Sequence, residues 1–146
     1  MRSQLLGKTP ANNLILVFET GDSVIDGMLE FVREHKIRSG FFYGVGACHH
    51  VTLGFFDHKR KDYLRTPIEE QVEVMSLAGN VTQFEDGPKI HAHIVIGKQD
   101  STAHGGHLIE AIVSPTLEVF FSTSPTVLNR ALDAETNLPL IDLSDG

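Results

Sequence analysis

Cysteine is nearly missing from this chain: Cys48 is the single one in 146 residues. An intramolecular disulfide is therefore excluded, and a chain without a disulfide framework suits a reducing cytoplasm. Long hydrophobic runs are missing too. No apolar stretch approaches the ~18 residues that a membrane helix requires, and the opening MRSQLLGKTPANN lacks the apolar segment of a secretory leader. A cytoplasmic protein without a membrane anchor is expected. Positive charge is scarce, with twelve Lys+Arg against nineteen Asp+Glu for a net −7. That is the wrong sign for a protein whose main task is neutralising phosphates. The one basic cluster, His58-Lys59-Arg60-Lys61, runs into Asp62 and is expected to be a solvated hairpin turn. There is no internal repeat of about 20–50 residues and no linker, so residues 1–146 are expected to form one domain. A chain of this length buries about two-thirds of its unfolded surface and needs no covalent staple.

What is present is mostly strand. Asn13 to Glu19 (NLILVFE) is a short run rich in β-formers, closed by Thr20-Gly21. Asp22 or Ser23 can then cap a helix whose apolar positions Ile25, Met28, Leu29 and Val32 recur at helical spacing, with Ser39-Gly40 as its stop. His35 and Lys36 complement the negative end of its dipole. Four β-like stretches follow: Phe41 to Phe56, Gln71 to Thr82, Ile90 to Ile96 and Leu108 to Ser122. Turn chemistry stands at Asp57-His58, Glu85-Asp86-Gly87-Pro88 and Ser114-Pro115. These connections are too short for helical crossovers, so an α+β fold with a mostly antiparallel sheet and one principal helix is expected. The tail from Asp133 to Gly146, with Leu138-Pro139-Leu140-Ile141, suits an extra edge strand or a packed arm.

Residues 88–107, PKIHAHIVIGKQDSTAHGGH, hold four of the eight histidines. Side chains alternate along a strand, so Ile90, Ala92, Ile94 and Ile96 line one face while His91, His93 and Val95 line the other. The Cα atoms of the two histidines are then about 6.5–7 Å apart. His107 is the natural third partner, because Gly105-Gly106 lets the backbone come close and turn into the next strand. His104 is the competitor, in a more loop-like stretch. Three imidazoles with an open fourth position are what a catalytic type of zinc site uses. The plain alternative is a pair of half-exposed strand histidines with no ligand.

The succession Gly44-Val45-Gly46-Ala47, Leu53-Gly54-Phe55-Phe56-Asp57, Glu73-Val74-Met75-Ser76-Leu77-x-Gly79-Asn80, Gly87-x-x-x-His91-x-His93, Gly105-Gly106-His107-Leu108 and Thr116-x-Glu118 resembles the PPC domain, conserved in plants and prokaryotes. The resemblance covers about residues 13–123. It implies an α/β domain with an antiparallel sheet and one principal helix, assembled as a homotrimer. It also implies that His91, His93 and His107 hold a metal, taken to be Zn²⁺. Plant members carry AT-hooks of the Arg-Gly-Arg-Pro type, and prokaryotic members are labelled DNA-binding on that association. This chain has no Arg-Gly-Arg, and its charge is adverse. The fold is also similar to acetolactate decarboxylase, a zinc lyase, a likeness that says little about substrate.

Other residues carry weaker signals. Glu73 matches a family position and is a candidate acid/base group, or one that orients a histidine through its second nitrogen. Its alternative is a solvated or trimer-interface strand residue. Glu118 shares a face with Phe120, and a carboxylate among apolar neighbours is expected to find a structural hydrogen bond. Asn80, after Gly79, is expected to shape a turn or bulge. Cys48 and His50 can share a face, but a buried, inert cysteine is expected. Gly44-x-Gly46 lacks the third glycine and the helix of a dinucleotide site. The residues and the resemblance together imply a metal-carrying homotrimer with metal-dependent lyase or hydrolase chemistry on a small molecule, or a trimer without chemistry that binds a small ligand between subunits. The alternative is a DNA-associated or regulatory interaction module.

Overall fold

In the computed structural model, residues 2–5 and 12–143 are described; the expected tail's last residues, 144–146, and most of the opening segment lie outside them. Two β-strands, β1 (Arg2–Leu5) and β2 (Asn13–Glu19), pair antiparallel. Strand β2 alternates as its sequence demands, with Leu14, Leu16 and Phe18 buried. Ser23 then caps helix α1 (Val24–Glu34): its hydroxyl accepts from the Asp26 N–H and donates to the Asp26 carboxylate at 2.8 Å.

The buried stripe of α1 is Val24, Met28, Phe31 and Val32, so it is turned from the expected one, and Ile25 only flanks the core. Phe31 explains the turn: its ring packs edge-on against Phe121 at 6.1 Å. Gly27 brings the helix down onto the Phe18 ring, where a Cβ would lie 2.8 Å from a ring carbon. The helix also stops earlier than expected. Lys36 adopts a left-handed φ of 53° directly after the His35 cap, and the His35 and Lys36 N–H groups donate to the Phe31 and Arg33 carbonyls. No turn is left for Ser39-Gly40 to end.

The rest is sheet: β3 (Gly40–Asp57), β4 (Asp62–Ile68), β5 (Val72–Phe84), β6 (Gly87–Gly97), β7 (Ala103–Thr123), β8 (Asn129–Leu132) and β9 (Pro139–Asp142). Among the described residues every ladder is antiparallel except a single parallel pairing of Gln83 with Asn129. Strand β3 pairs with both β5 and β7, and β6 pairs with both as well, so four long strands close a circuit. No helix among the described residues is long and apolar enough to cross a membrane. The core side carries the helix stripe together with Leu77, Ile94, Ile96, Leu117, Val119 and Phe121.

The basic cluster is the expected turn, tied by Lys59 and Arg60 N–H groups to the Asp57 carboxylate at 2.8 and 3.2 Å. Ser114-Pro115 is not a turn between strands. It lies within β7 at a register shift, where Gly46 faces Leu117 while Cys48 faces Val113. The backbone displaced there is bonded by the loop before α1, through Gly21 N–H to the Val113 carbonyl and Val113 N–H to the Asp22 carbonyl.

Candidate metal centre

Strand β6 lies between β5 and the start of β7, and that position brings the histidines together. Ala92, Ile94 and Ile96 go into the core, while His91 and His93 point to the other face. His93 sits directly opposite His107 across the β6–β7 ladder, and His107 sits opposite Gly54 across β3–β7. His107 is thus where β7 passes from pairing with β6 to pairing with β3. The close approach depends on glycine. A Cβ on Gly106 would be 2.9 Å from the Gly54 carbonyl oxygen, and one on Gly79 would be 2.6 Å from the His91 carbonyl oxygen.

The three rings form a compact triangle, with centroids 5.2 Å (His91 to His93), 5.3 Å (His91 to His107) and 5.5 Å (His93 to His107) apart. One nitrogen from each can be chosen so that all three lie within 4.8 Å of one another. Zinc–nitrogen bonds of ~2.0–2.1 Å in a tetrahedral set place nitrogens about 3.3 Å apart, so small side-chain rotations bridge the difference. Burial holds the His91 pKa below its ordinary value and takes that of His107 down to about 4, with the neighbouring cations and histidines adding to the effect. These two imidazoles are therefore neutral at physiological pH, the form that donates a lone pair. Nδ1 of His107 is buried without a hydrogen-bond partner. An orphaned nitrogen in a convergent trio of imidazoles fits a bound cation.

Two flanking groups escaped the sequence reading. Tyr63, on β4, stacks on His107 with centroids 4.5 Å apart and planes 21° apart. Arg130, on β8, reaches over the site: Nε donates to Thr82 Oγ1 at 2.6 Å, Nη1 to the Pro139 carbonyl at 2.6 Å and Nη2 to Asn80 Oδ1 at 2.9 Å. Asn80 lies directly opposite His91 and holds this arginine rather than shaping a bulge. A cavity of about 100 Å³ results, walled by Tyr63, Lys89, His91, His107, Arg130 and Leu140 among others. A tyrosine two residues after a basic turn and an arginine near the C-terminus gave no local signal. Only strand pairing brings them here.

The other candidates lie elsewhere. Glu73 is exposed and opposite Gly97, four residues along β6 from His93, which at strand rise is about 13 Å. It lines a separate open cleft with Glu70 and Lys98, so within one chain it does not reach the histidines. His104 lies on β7, not in a loop, opposite Ile96 and outside the triangle. Glu118 is exposed, and no hydrogen bond to it is seen among the described residues. Its outer face is not covered within one chain. Cys48 is fully buried and its thiol is pushed up to about 12, an inert core residue as expected.

A bulge between Cys48 and His50 leaves His50 between two carboxylates, Nδ1 at 2.9 Å from Glu69 and Nε2 at 3.3 Å from Glu110. The Glu69 hydrogen bond, ahead of the loss of hydration, raises the His50 pKa. The protonated form is favoured in the folded chain, so this stabilisation is full below the unfolded value of ~6.5 and fades as pH rises through the folded one. Glu69→Gln is expected to lower the urea midpoint at pH 5.5 and to leave it nearly unchanged at pH 9. Equal losses at both pH values would show that His50 is not the titrating partner.

A circuit of antiparallel strands, one covering helix and three converging imidazoles define a small α+β domain with a site able to hold a metal ion. The chain belongs to the Plants and Prokaryotes Conserved (PCC) domain family, whose model matches residues 7–125. A solved Bacteroides thetaiotaomicron protein, named a "putative dna binding protein", is similar at 26% identity and TM-score 0.87 over 96% of each chain. A protein of Archaeoglobus fulgidus described as metal-containing is 30% identical, with TM-score 0.83 over 96% of each chain. A Staphylococcus aureus protein described as similar to alpha-acetolactate decarboxylase shares the fold alone, at 13% identity and TM-score 0.54, over 75% of this chain and 51% of its own. No curated protein gives a significant match.

Proposed function

We propose that this protein is a cytoplasmic homotrimer that holds one Zn²⁺ per subunit on His91, His93 and His107 and binds a small molecule beside it. The carrying observation is the triangle itself: three imidazoles whose nitrogens converge within 4.8 Å, one of them an orphaned buried nitrogen. No fourth His, Cys, Asp or Glu joins them among the described residues, which leaves a coordination position for water or ligand. A metal so held polarises a carbonyl or lowers the pKa of bound water to about 7, the chemistry of metal-assisted lyases and hydrolases. The chain's own contribution is to keep His91 and His107 neutral, to wall one side of the site with Tyr63 and to fix a cation, Arg130, at its edge.

The trimer is supported by the face that carries the site. His93 lies opposite Ala78, Ala78 opposite Tyr43, and Tyr43 opposite Phe120. Along that face Phe41, Tyr43 and Val45 are 59%, 57% and 54% exposed, and neighbouring exposed apolar side chains of this kind suit an interaction surface. A second copy of the chain is its natural cover. Untagged protein purified without added metal is expected to contain about one zinc per chain by elemental analysis, in a particle of three chains by light scattering. Zinc well below one per chain after zinc is offered removes the metal reading. A particle of one 16.1 kDa chain removes the trimer.

The name of the Bacteroides relative favours a second reading, a DNA-associated module without catalysis. The net charge of −7 opposes it. Duplex DNA titrated at several salt concentrations decides it, and a Kd no tighter than about 10⁻⁴ M at physiological salt, the weak end of non-specific binding, sinks it.

A further inference from the structure

We propose that the cavity beside the histidines binds the carboxylate of a short-chain organic acid, with Arg130 as its anion-binding residue. This deepens the reading of the site given above, yet it rests on a different group and is tested apart from the metal.

The cavity is electropositive by construction. Arg130 and Lys89 line it with two of the histidines, and among the described residues no Asp or Glu does. Arg130 is partly buried, and its three hydrogen-bond partners, the Thr82 hydroxyl, the Pro139 carbonyl and the Asn80 amide, are all neutral. They fix the guanidinium in place without neutralising it. A guanidinium carries five N–H groups, so two remain after these three bonds, one on each terminal nitrogen. A half-buried cation with no counter-charge among the described residues is costly, and an anion supplied from outside removes that cost. A planar fork with one free donor on each tip matches the two oxygens of a carboxylate.

The anchoring points toward the histidines. Asn80, which holds Nη2, is the direct strand neighbour of His91. A ligand on the free side of Arg130 therefore lies in the cavity that His91 and His107 also line. Size and polarity set the class of ligand. The space is small, about 100 Å³, which favours a ligand with a short body. Ile90, Leu138 and Leu140 form an apolar wall that a short hydrocarbon body can cover and that inorganic phosphate cannot use.

The test is calorimetric titration of the full chain with pyruvate as probe, against pyruvamide, its neutral amide, and against inorganic phosphate. Each is run on zinc-loaded and on chelator-stripped protein, with metal content measured in parallel. Pyruvate is expected to bind at least tenfold tighter than pyruvamide, and tighter than phosphate, in both preparations, because the arginine is present in both. Arg130→Gln is expected to abolish the preference for pyruvate, and Arg130→Lys to retain part of it. Because Arg130 also ties β8 to β5 and β9, the pyruvate–pyruvamide comparison on the unaltered chain stands whether or not the variants fold. Equal binding of acid and amide, no binding of pyruvate, tighter binding of phosphate, or an undiminished preference in a folded Arg130→Gln variant each overturns the proposal. Failure of the unaltered chain to take up offered zinc, with its preference for pyruvate intact, tells against the metal reading alone, and absence of that preference in the unaltered chain with zinc bound tells against the Arg130 proposal alone.

Discussion

Zinc is expected to be lost from the His107→Ala variant, with affinity falling more than about a hundredfold, beyond the 10–100-fold typical of groups that merely orient a ligand. His104→Ala, three residues away, is expected to leave affinity unchanged. The contrast follows from the ladder. His107 is opposite His93 at the point where β7 passes from β6 to β3, whereas His104 is opposite Ile96 and projects to the other face. Removing His107 leaves two nitrogens on one strand and an exposed coordination sphere. The variant is expected to fold, because the lost ring is at the edge of the core and its Nδ1 has no hydrogen bond to forfeit. Equilibrium dialysis against a zinc chelator measures both variants. Equal retention in the two would place the ion elsewhere.

Phe121→Ala is expected to have the largest effect on stability, about 3–5 kcal/mol. Its ring is 1% exposed and lies 6.1 Å from both Phe31 and Phe42, edge-on to the first and stacked on the second. It faces Leu14 on β2 and Phe42 on β3, so one side chain joins the helix to three strands. No neighbour is placed to refill the volume of a phenyl ring, and a cavity remains. For a domain of typical stability, ~5–15 kcal/mol, that is a large share. With a urea dependence of about 2 kcal/mol per molar, the unfolding midpoint falls by about 2 M. A loss below about 1 kcal/mol would mean that the core closes over the gap. The metal ligands lie on the opposite face, so zinc binding by the folded fraction is expected to persist.

How much of this was legible in the sequence differs from residue to residue. His91 and His93 were placed on one face by strand alternation alone, since a period of two leaves no freedom once the segment is strand. His107 was reachable because two glycines precede it, and the structure uses one of them for contact with β3. The helix was legible as a helix, but not in its facing. Helical spacing fitted Ile25 and Leu29, and only the ring of Phe121 across the core selects Phe31 instead. Strand β4 escaped because Asp62 to Ile68 is exposed nearly throughout, without alternation, and contains Pro67; pairing with β3 makes it a strand. Arg130 and Tyr63 escaped for the same reason, and so did the role of Asn80. Their meeting depends on which strands lie side by side, and no local pattern encodes that. The apolar neighbours of Glu118 are themselves exposed within one chain, which the strand pattern alone does not show.

That face and the triangle beside it come down to a single claim, that His91, His93 and His107 jointly hold an ion. Diffraction from crystals of untagged protein, with data collected above and below the zinc absorption edge, tests it most directly. The account predicts one anomalous peak per chain at about 2.0–2.1 Å from a nitrogen of each of the three imidazoles, absent below the edge. A peak bound by other residues, or no peak after zinc is offered to the crystals, would contradict it.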